Sequence, residues 1–212
     1  MGGVLSGPEI IRLVKLNRTE VAKGNLPPVP SIFIDPFDPE LAGPNSYDMH
    51  LSNQMRVYAL SSVRRVHPEL FQGYYPNTIL PQGFDPNEKP ETIPFEIPED
   101  GFWLHPGVLY LGATVERTVC HGLVPCIETR SSVARMGLST HLCAGFGDDG
   151  FAGQWTLEIT TPAHAVKVYP GMGIAQVAFT TLVGERKPYE GKYQNSKGPV
   201  ACLADGEKHK RV

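Results

Sequence analysis

Residues 154–161 alternate without a break: Trp155, Leu157 and Ile159 fall on one side, Thr156, Glu158 and Thr160 on the other. A period of two marks a strand with one face in a core. Such a strand requires partners. Residues 108–111, 113–115, 122–128, 166–169 and 174–179 are short apolar or alternating runs, and residues 46–51 and 55–58 form a further strand-like stretch. Turn formers cut these runs short: the chain has 22 Gly and 20 Pro in 212 residues. That is well above the roughly 12% of average usage. Many short strands with few long helical stretches predict an all-β chain. The Pro170-Gly171 turn predicts that 166–169 and 174–179 close on each other as a strand pair.

Two helices are expected. Ser6-Gly7-Pro8-Glu9 offers a cap, a Pro in the first turn and a Glu placed to complete a capping box, and Ile10, Ile11 and Val14 give a short helix one apolar face. Residues 131–136, stopped by Gly137, predict one or two helical turns. Residues 24–46 read as loop with short extended pieces. Residues 67–100 are dense in Pro, Asn, Gly and Glu and predict a long surface excursion. After about residue 190 the chain is polar, which predicts a flexible tail ending in Lys208-His209-Lys210-Arg211. The whole is read as one domain, residues 1–212.

The net charge of −3 provides no global field for nucleic acid or a membrane, and no run of 18 apolar residues exists to span one. A polyanionic ligand therefore requires a local cluster of cations. Cys120, Cys126, Cys143 and Cys202 lack C-x-x-C spacing, which fits free thiols in a reducing, cytoplasmic setting.

Three groups of residues carry chemistry. In Glu128-Thr129-Arg130-Ser131-Ser132-Val133-Ala134-Arg135-Met136-Gly137, two hydroxyls and free backbone N–H groups meet at a helix start, and Arg130 adds a fixed charge. Ser131 and Arg135, four apart, share a helical face. A capped surface turn with two solvated arginines explains the same residues. The second group, residues 144–153, places Asp148 in a Gly-rich turn that lets backbone approach a ligand; a plain hairpin turn fits as well. The third is Glu158. It is either a solvent-facing carboxylate or, if its face lines a pocket, an acid/base.

The order and spacing of these groups, with Tyr169-Pro170-Gly171-Met172, Pro44-Asn45-Ser46-Tyr47-Asp48 and Lys192-Tyr193-Gln194, resemble the dCTP deaminase family, a relative of the trimeric dUTPases. The resemblance covers residues 3–58 and 101–200. It implies a distorted β-barrel or jelly-roll-like fold of the dUTPase type with a few short helices, assembled as a homotrimer with sites between subunits. It implies hydrolytic deamination of dCTP to dUTP and ammonia without zinc, with Mg²⁺ carried by the triphosphate and dTTP as an inhibitor. Glu158, Ser131 and Arg135 match the catalytic residues. Arg130, Ser132 and Lys192 match triphosphate contacts, Asp148 the deoxyribose contact, and Gln176 and Tyr193 fall in substrate-binding motifs. The chain departs from the family pattern at Thr129, where Gly is usual, at Gly147-Asp148-Asp149-Gly150, where Ile-Asp-Pro-Gly is common, and at Ser196, where Gln is common.

Other readings remain open. A bifunctional deaminase would release dUMP and pyrophosphate, and Ala144-Gly145-Phe146 leans that way. A dUTP diphosphatase would lack a Glu158 and carry a Gly-rich aromatic segment near its end. A zinc deaminase would use His67-Pro68-Glu69 with Pro125-Cys126, but position 129 is Thr rather than the last Cys ligand. A nucleotide-binding regulatory module would retain the phosphate residues and lose the acid/base.

Overall fold

The computed structural model describes residues 2–85, 88–142 and 144–203. In chain order the elements are α1 (Gly7–Ala22), β1 (Ser31–Asp35), β2 (Tyr47–His50), β3 (Gln54–Tyr58), α2 (Ser61–Val66), β4 (Thr92–Glu96), β5 (Phe102–Leu104), β6 (Tyr110–His121), β7 (Leu123–Thr129), α3 (Ser131–Arg135), β8 (Ala152–Ile159), β9 (Val166–Val168) and β10 (Gly173–Thr181). The chain is all-β with few helices, as its turn formers and short runs predict.

The longest strand, β6, organises the molecule. One edge pairs with β8 along both halves; the other is shared by β1, from Ser31↔His121 to Asp35↔Arg117, and by β3 at Arg56↔Leu111 and Val57↔Tyr110. β4 extends this sheet beyond β3. A second sheet runs β2-β10-β7, and β5 and β9 form a ribbon. All these pairings are antiparallel. Ile32, Ile34, Tyr110, Leu157 and Ile159 from the first sheet and Met49, Ile127, Val177 and Phe179 from the second are buried in one apolar core. Burying each such side chain contributes about 1.5–3 kcal/mol before the entropy of ordering it.

Several expectations are corrected. The first helix, expected to be short, has 16 residues. Ile10, Leu13, Val14 and Asn17 are buried at i, i+3, i+4 and i+7, which carries the helix past its last apolar residue on that face. Ser6 makes no side-chain cap, and Glu9 bonds Arg12 instead of closing a capping box. Residues 166–168 do not pair with β10: β9 pairs with β5, and β10 with β2 and β7, because long-range partners outcompete the local turn.

Residues 67–100 are not wholly surface. Phe71, Leu80 and Ile97 enter the core, β4 pairs with β3, and the Arg64 guanidinium ties down the carbonyls of Pro76 at 2.6 Å and Thr78 at 3.1 Å. Phe84 sets its ring edge-on to Tyr58, 4.6 Å between centroids. Residues 189–203 are likewise bonded to the sheet rather than loose. Asn195 N–H donates to the Ala152 carbonyl at 2.7 Å, Gly198 N–H to Gln154 Oε1 at 2.7 Å and Val200 N–H to Thr156 Oγ1 at 3.0 Å. The expected basic end, residues 208–211, lies outside the described residues. No helix among the described residues is long and apolar enough to cross a membrane.

Candidate active site

Glu158 sits where the alternation of β8 puts it. Leu157 and Ile159 are buried to either side, so the Glu158 side chain leaves the core face. Across β6 it is in register with Leu111. Its backbone N–H donates to the Thr140 carbonyl at 2.9 Å, and its Oε2 accepts from the Leu142 N–H at 3.2 Å. The carboxylate is thus held by the segment that follows α3.

Glu158 opens on a cavity of about 360 Å³. Its walls come from three stretches. Gln154, Trp155, Thr156 and Glu158 of β8 stand with Leu111 and Tyr58 on one side; Phe146, Gly147, Asp148 and Phe151 form the second; Tyr189, Tyr193, Ser196 and residues 200–202 the third. Most ligand pockets combine apolar and aromatic walls with a few polar groups that fix orientation, and this one has that character. Trp155 lies at the edge of the core and in the cavity wall, opposite a bulge in β6 where register runs Ala113↔Thr156 and then Arg117↔Gln154. Trp155 shares the core side with Leu157 and Ile159, as the alternation predicts, but is only half-buried. Its indole N–H donates to Thr118 Oγ1 at 2.8 Å, and its ring lies 4.7 Å from that of Phe151. Gly147 permits this, since a Cβ there would stand 2.3 Å from the indole. Burial pushes the Tyr58 hydroxyl above its ordinary value; a hydrogen bond from the Cys202 backbone opposes this, and the nearby Glu158 charge adds to it.

Glu158, Asp148 and Tyr193 are therefore brought together, and the other expected site residues are not. Ser131, Ser132 and Arg135 are exposed on α3, which Gly137 stops with φ +83°. Arg130 precedes them and is turned back, pairing with Asp48 at 2.8 Å and donating to the Gly173 carbonyl at 3.3 Å. Gln176 stands on β10 between Asp48 and Glu128, accepts from Ser46 Oγ at 3.0 Å and faces a separate groove with Val4 and Asn45. Lys192 donates to the Leu203 carbonyl at 3.1 Å and lies 5.8 Å from the Tyr193 ring centroid.

The cavity's aromatic residues Tyr58, Phe151, Trp155 and Tyr189 were not singled out by sequence reasoning. Phe151 and Trp155 had a signal, lying within and just after the Gly-rich turn; Tyr58 had none, since its neighbours come from distant segments. Among the described residues there is no group of three or more His, Cys, Asp or Glu placed to hold a metal. Both ring nitrogens of His67 are engaged, Nε2 with Tyr110 Oη at 2.6 Å and Nδ1 with Glu69 Oε1 at 2.8 Å.

The profile of the dCTP deaminase-like family matches residues 4–182. The chain is 41% identical to a dUMP-forming dCTP deaminase of Cytophaga hutchinsonii, over 84% of this chain and 91% of the relative. It is 39% identical to one of Clostridium beijerinckii, over 97% and 99%. A solved 2'-deoxycytidine 5'-triphosphate deaminase of Agrobacterium tumefaciens shares the fold at a TM-score of 0.55 and 16% identity, over 85% of this chain; this chain spans about half of that one, 48%. A profile matched over most of the length and relatives near 40% identity across nearly the whole chain place this chain in the dCTP deaminase-like family.

Proposed function

We propose that the chain deaminates dCTP and hydrolyses the resulting nucleotide to dUMP and pyrophosphate. The observation that carries this reading is the Glu158 carboxylate in the wall of an aromatic cavity that also holds Asp148. The names of the similar proteins favour dUMP over dUTP as the product that leaves, against the first expectation from sequence.

In this reading the cytosine ring lies among the aromatic side chains, with Asp148 accepting from the deoxyribose hydroxyl. Glu158 takes a proton from water, and the hydroxide adds to C4. The carboxyl then protonates N3, takes up the proton of the new C4 hydroxyl and passes it to the amino nitrogen, so that C4=O forms as the C4–N bond breaks and ammonia leaves uracil. Attack of another water on the α-phosphorus releases pyrophosphate; no residue is assigned to that step. Mg²⁺ arrives with the triphosphate as part of the substrate, in keeping with its preference for phosphate oxygens.

Arg130, Ser131, Ser132 and Arg135 serve a site built between copies. With Ser131, Ser132 and Arg135 exposed on α3 and Arg130 half-buried at its start, they meet the nucleotide bound in a neighbouring subunit of a homotrimer, with Ser131 and Arg135 holding the water and Glu158 and the others the phosphates. Gln176, Lys192 and Tyr193 complete the substrate contacts. dTTP is the expected inhibitor, having the same sugar and triphosphate.

Incubation with dCTP and Mg²⁺, followed by chromatography separating dCTP, dUTP and dUMP, tests the reading. dUMP as the accumulating product supports it. Accumulation of dUTP alone returns the assignment to a simple deaminase, and unchanged dCTP overturns it.

A further inference from the structure

An ion pair with its carboxylate buried lies beside the cavity, outside the groups assigned above. The Asp149 side chain is 4% exposed and accepts both arms of the Arg186 guanidinium, Nε to Oδ2 at 2.8 Å and Nη2 to Oδ1 at 3.0 Å. Oδ1 also accepts the Gly122 N–H at 2.8 Å. Two-armed, charge-assisted bonds of this kind are strong and geometrically exacting. Three pieces of chain meet here. Gly122 is the turn between β6 and β7, Asp149 follows Asp148 of the cavity wall, and Arg186 opens the segment that runs to residue 203 over β8.

The bonds around the pair continue the connection. Tyr189 N–H donates to the Asp149 carbonyl at 2.7 Å. The Gln194 side chain accepts from Ala152 N–H at 2.8 Å and donates to the Gly150 carbonyl at 2.9 Å. Tyr189, Tyr193, Ser196 and Val200 then face the cavity. Among the described residues the buried apolar core ends in sequence at Phe179. Residues 186–203 are therefore fastened largely by polar bonds, and the best-formed of these is Asp149–Arg186.

We infer that Asp149 and Arg186 are positioning residues, a clamp that seats residues 186–203 as one wall of the nucleotide cavity. This rests on the cavity being the nucleotide site. Neither residue touches the reacting atoms. The pair fixes where Tyr189 and Tyr193 stand, so its loss weakens nucleotide capture before it slows the chemistry.

The full-length chain tests this with Arg186→Gln, which leaves the Asp149–Gly122 bond in place, and with Asp149→Asn as the second variant. Amide hydrogen exchange is read at Asn195, Gly198 and Val200, and at Ile34 and Val177 in the sheets, beside KM and kcat for dCTP. The expected result is exchange in 195–200 faster by about tenfold or more with the sheet amides unchanged, since local opening follows the free energy of the local bonds. KM for dCTP rises by about tenfold while kcat stays within about twofold, and Arg186→Lys, which keeps the charge but not the fork, falls between. Exchange in 195–200 that stays at the unsubstituted rate in both variants overturns the clamp. So does faster exchange in the sheets and 195–200 together, which marks a fastening of the whole fold, or a kcat that falls with KM unchanged. Should the unsubstituted chain leave dCTP untouched, the proposed activity fails while the exchange comparison still decides the clamp.

Discussion

The cavity beside β8 and the turn at α3 are built in opposite ways. The cavity is enclosed by three stretches of one chain, lined by six aromatic side chains, and holds Glu158 by a backbone N–H. α3 is five residues long, without a side-chain cap, and exposes Ser131, Ser132 and Arg135. Aromatic walls suit a flat base. Exposed hydroxyls and guanidinium groups suit a ligand or partner that arrives from outside. Under the proposed function the contrast is a division of labour, with base and sugar held by one face and phosphates by another.

The largest expected effect breaks the cavity side. Glu158→Gln should lower kcat for dCTP deamination by about 10²–10⁴-fold with binding nearly retained. Ammonia release at a near-normal rate would remove Glu158 from the chemistry. The division itself is sharpened by mixing. If each site takes its carboxylate from one copy and its α3 from another, inactive Glu158→Gln and inactive Arg135→Gln proteins regain activity when unfolded and refolded together. A mixture that stays inactive places both groups in one chain's site.

Arg130→Ala should raise KM by about tenfold, the scale of a lost charge-assisted bond. An unchanged KM would confine Arg130 to its pair with Asp48. A smaller effect concerns pH. Burial works to raise the Asp149 carboxyl, but the bonds from Arg186 and Gly122 outweigh it and hold the group below its ordinary 3.8. A depressed carboxylate stabilises the fold above its unfolded value and loses that contribution as pH falls. The difference in melting temperature between the unsubstituted chain and Asp149→Asn should therefore be full near neutrality and shrink below about pH 3.8. A difference that holds constant to pH 2 would detach it from ionisation. The smallest effect belongs to Phe84→Ala. An aromatic pair is worth about 0.5–1.5 kcal/mol, so losing the brace on Tyr58 should move KM no more than a few-fold.

What was legible in the sequence followed from local periodicity. Leu157, Glu158 and Ile159 declare their faces through a period of two, and Gly137 marks the end of α3. The rest depends on partners far along the chain. The length of α1 was hidden because Asn17, a polar residue, continues its buried face. Phe71 and Leu80 sit in the isolated apolar pairs Leu70-Phe71 and Ile79-Leu80, too short to show a period that would reveal their place in the core, whereas the alternation of Ile93, Phe95 and Ile97 did mark the β4 strand and was passed over amid the Pro and Glu around it. β9 was assigned to β10 by the turn between them, whereas its partner β5 lies some sixty residues earlier. Of the site, the ends of the argument were readable and the junction was not. Glu158 and Asp148 stand out as residues, but Tyr58 and Tyr189 join them through tertiary contacts alone.

The place of Trp155 at the edge of the core, opposite the β6 bulge, also gives the chain a built-in optical probe. The sequence contains two tryptophans. Trp103 is 53% exposed on β5 and is not part of the cavity wall, so its emission should change little when the cavity fills. Trp155 stands in the cavity wall, against Phe151. A nucleotide stacking there would quench or shift the Trp155 component against that steady background, so occupancy can be followed by light, without label or turnover.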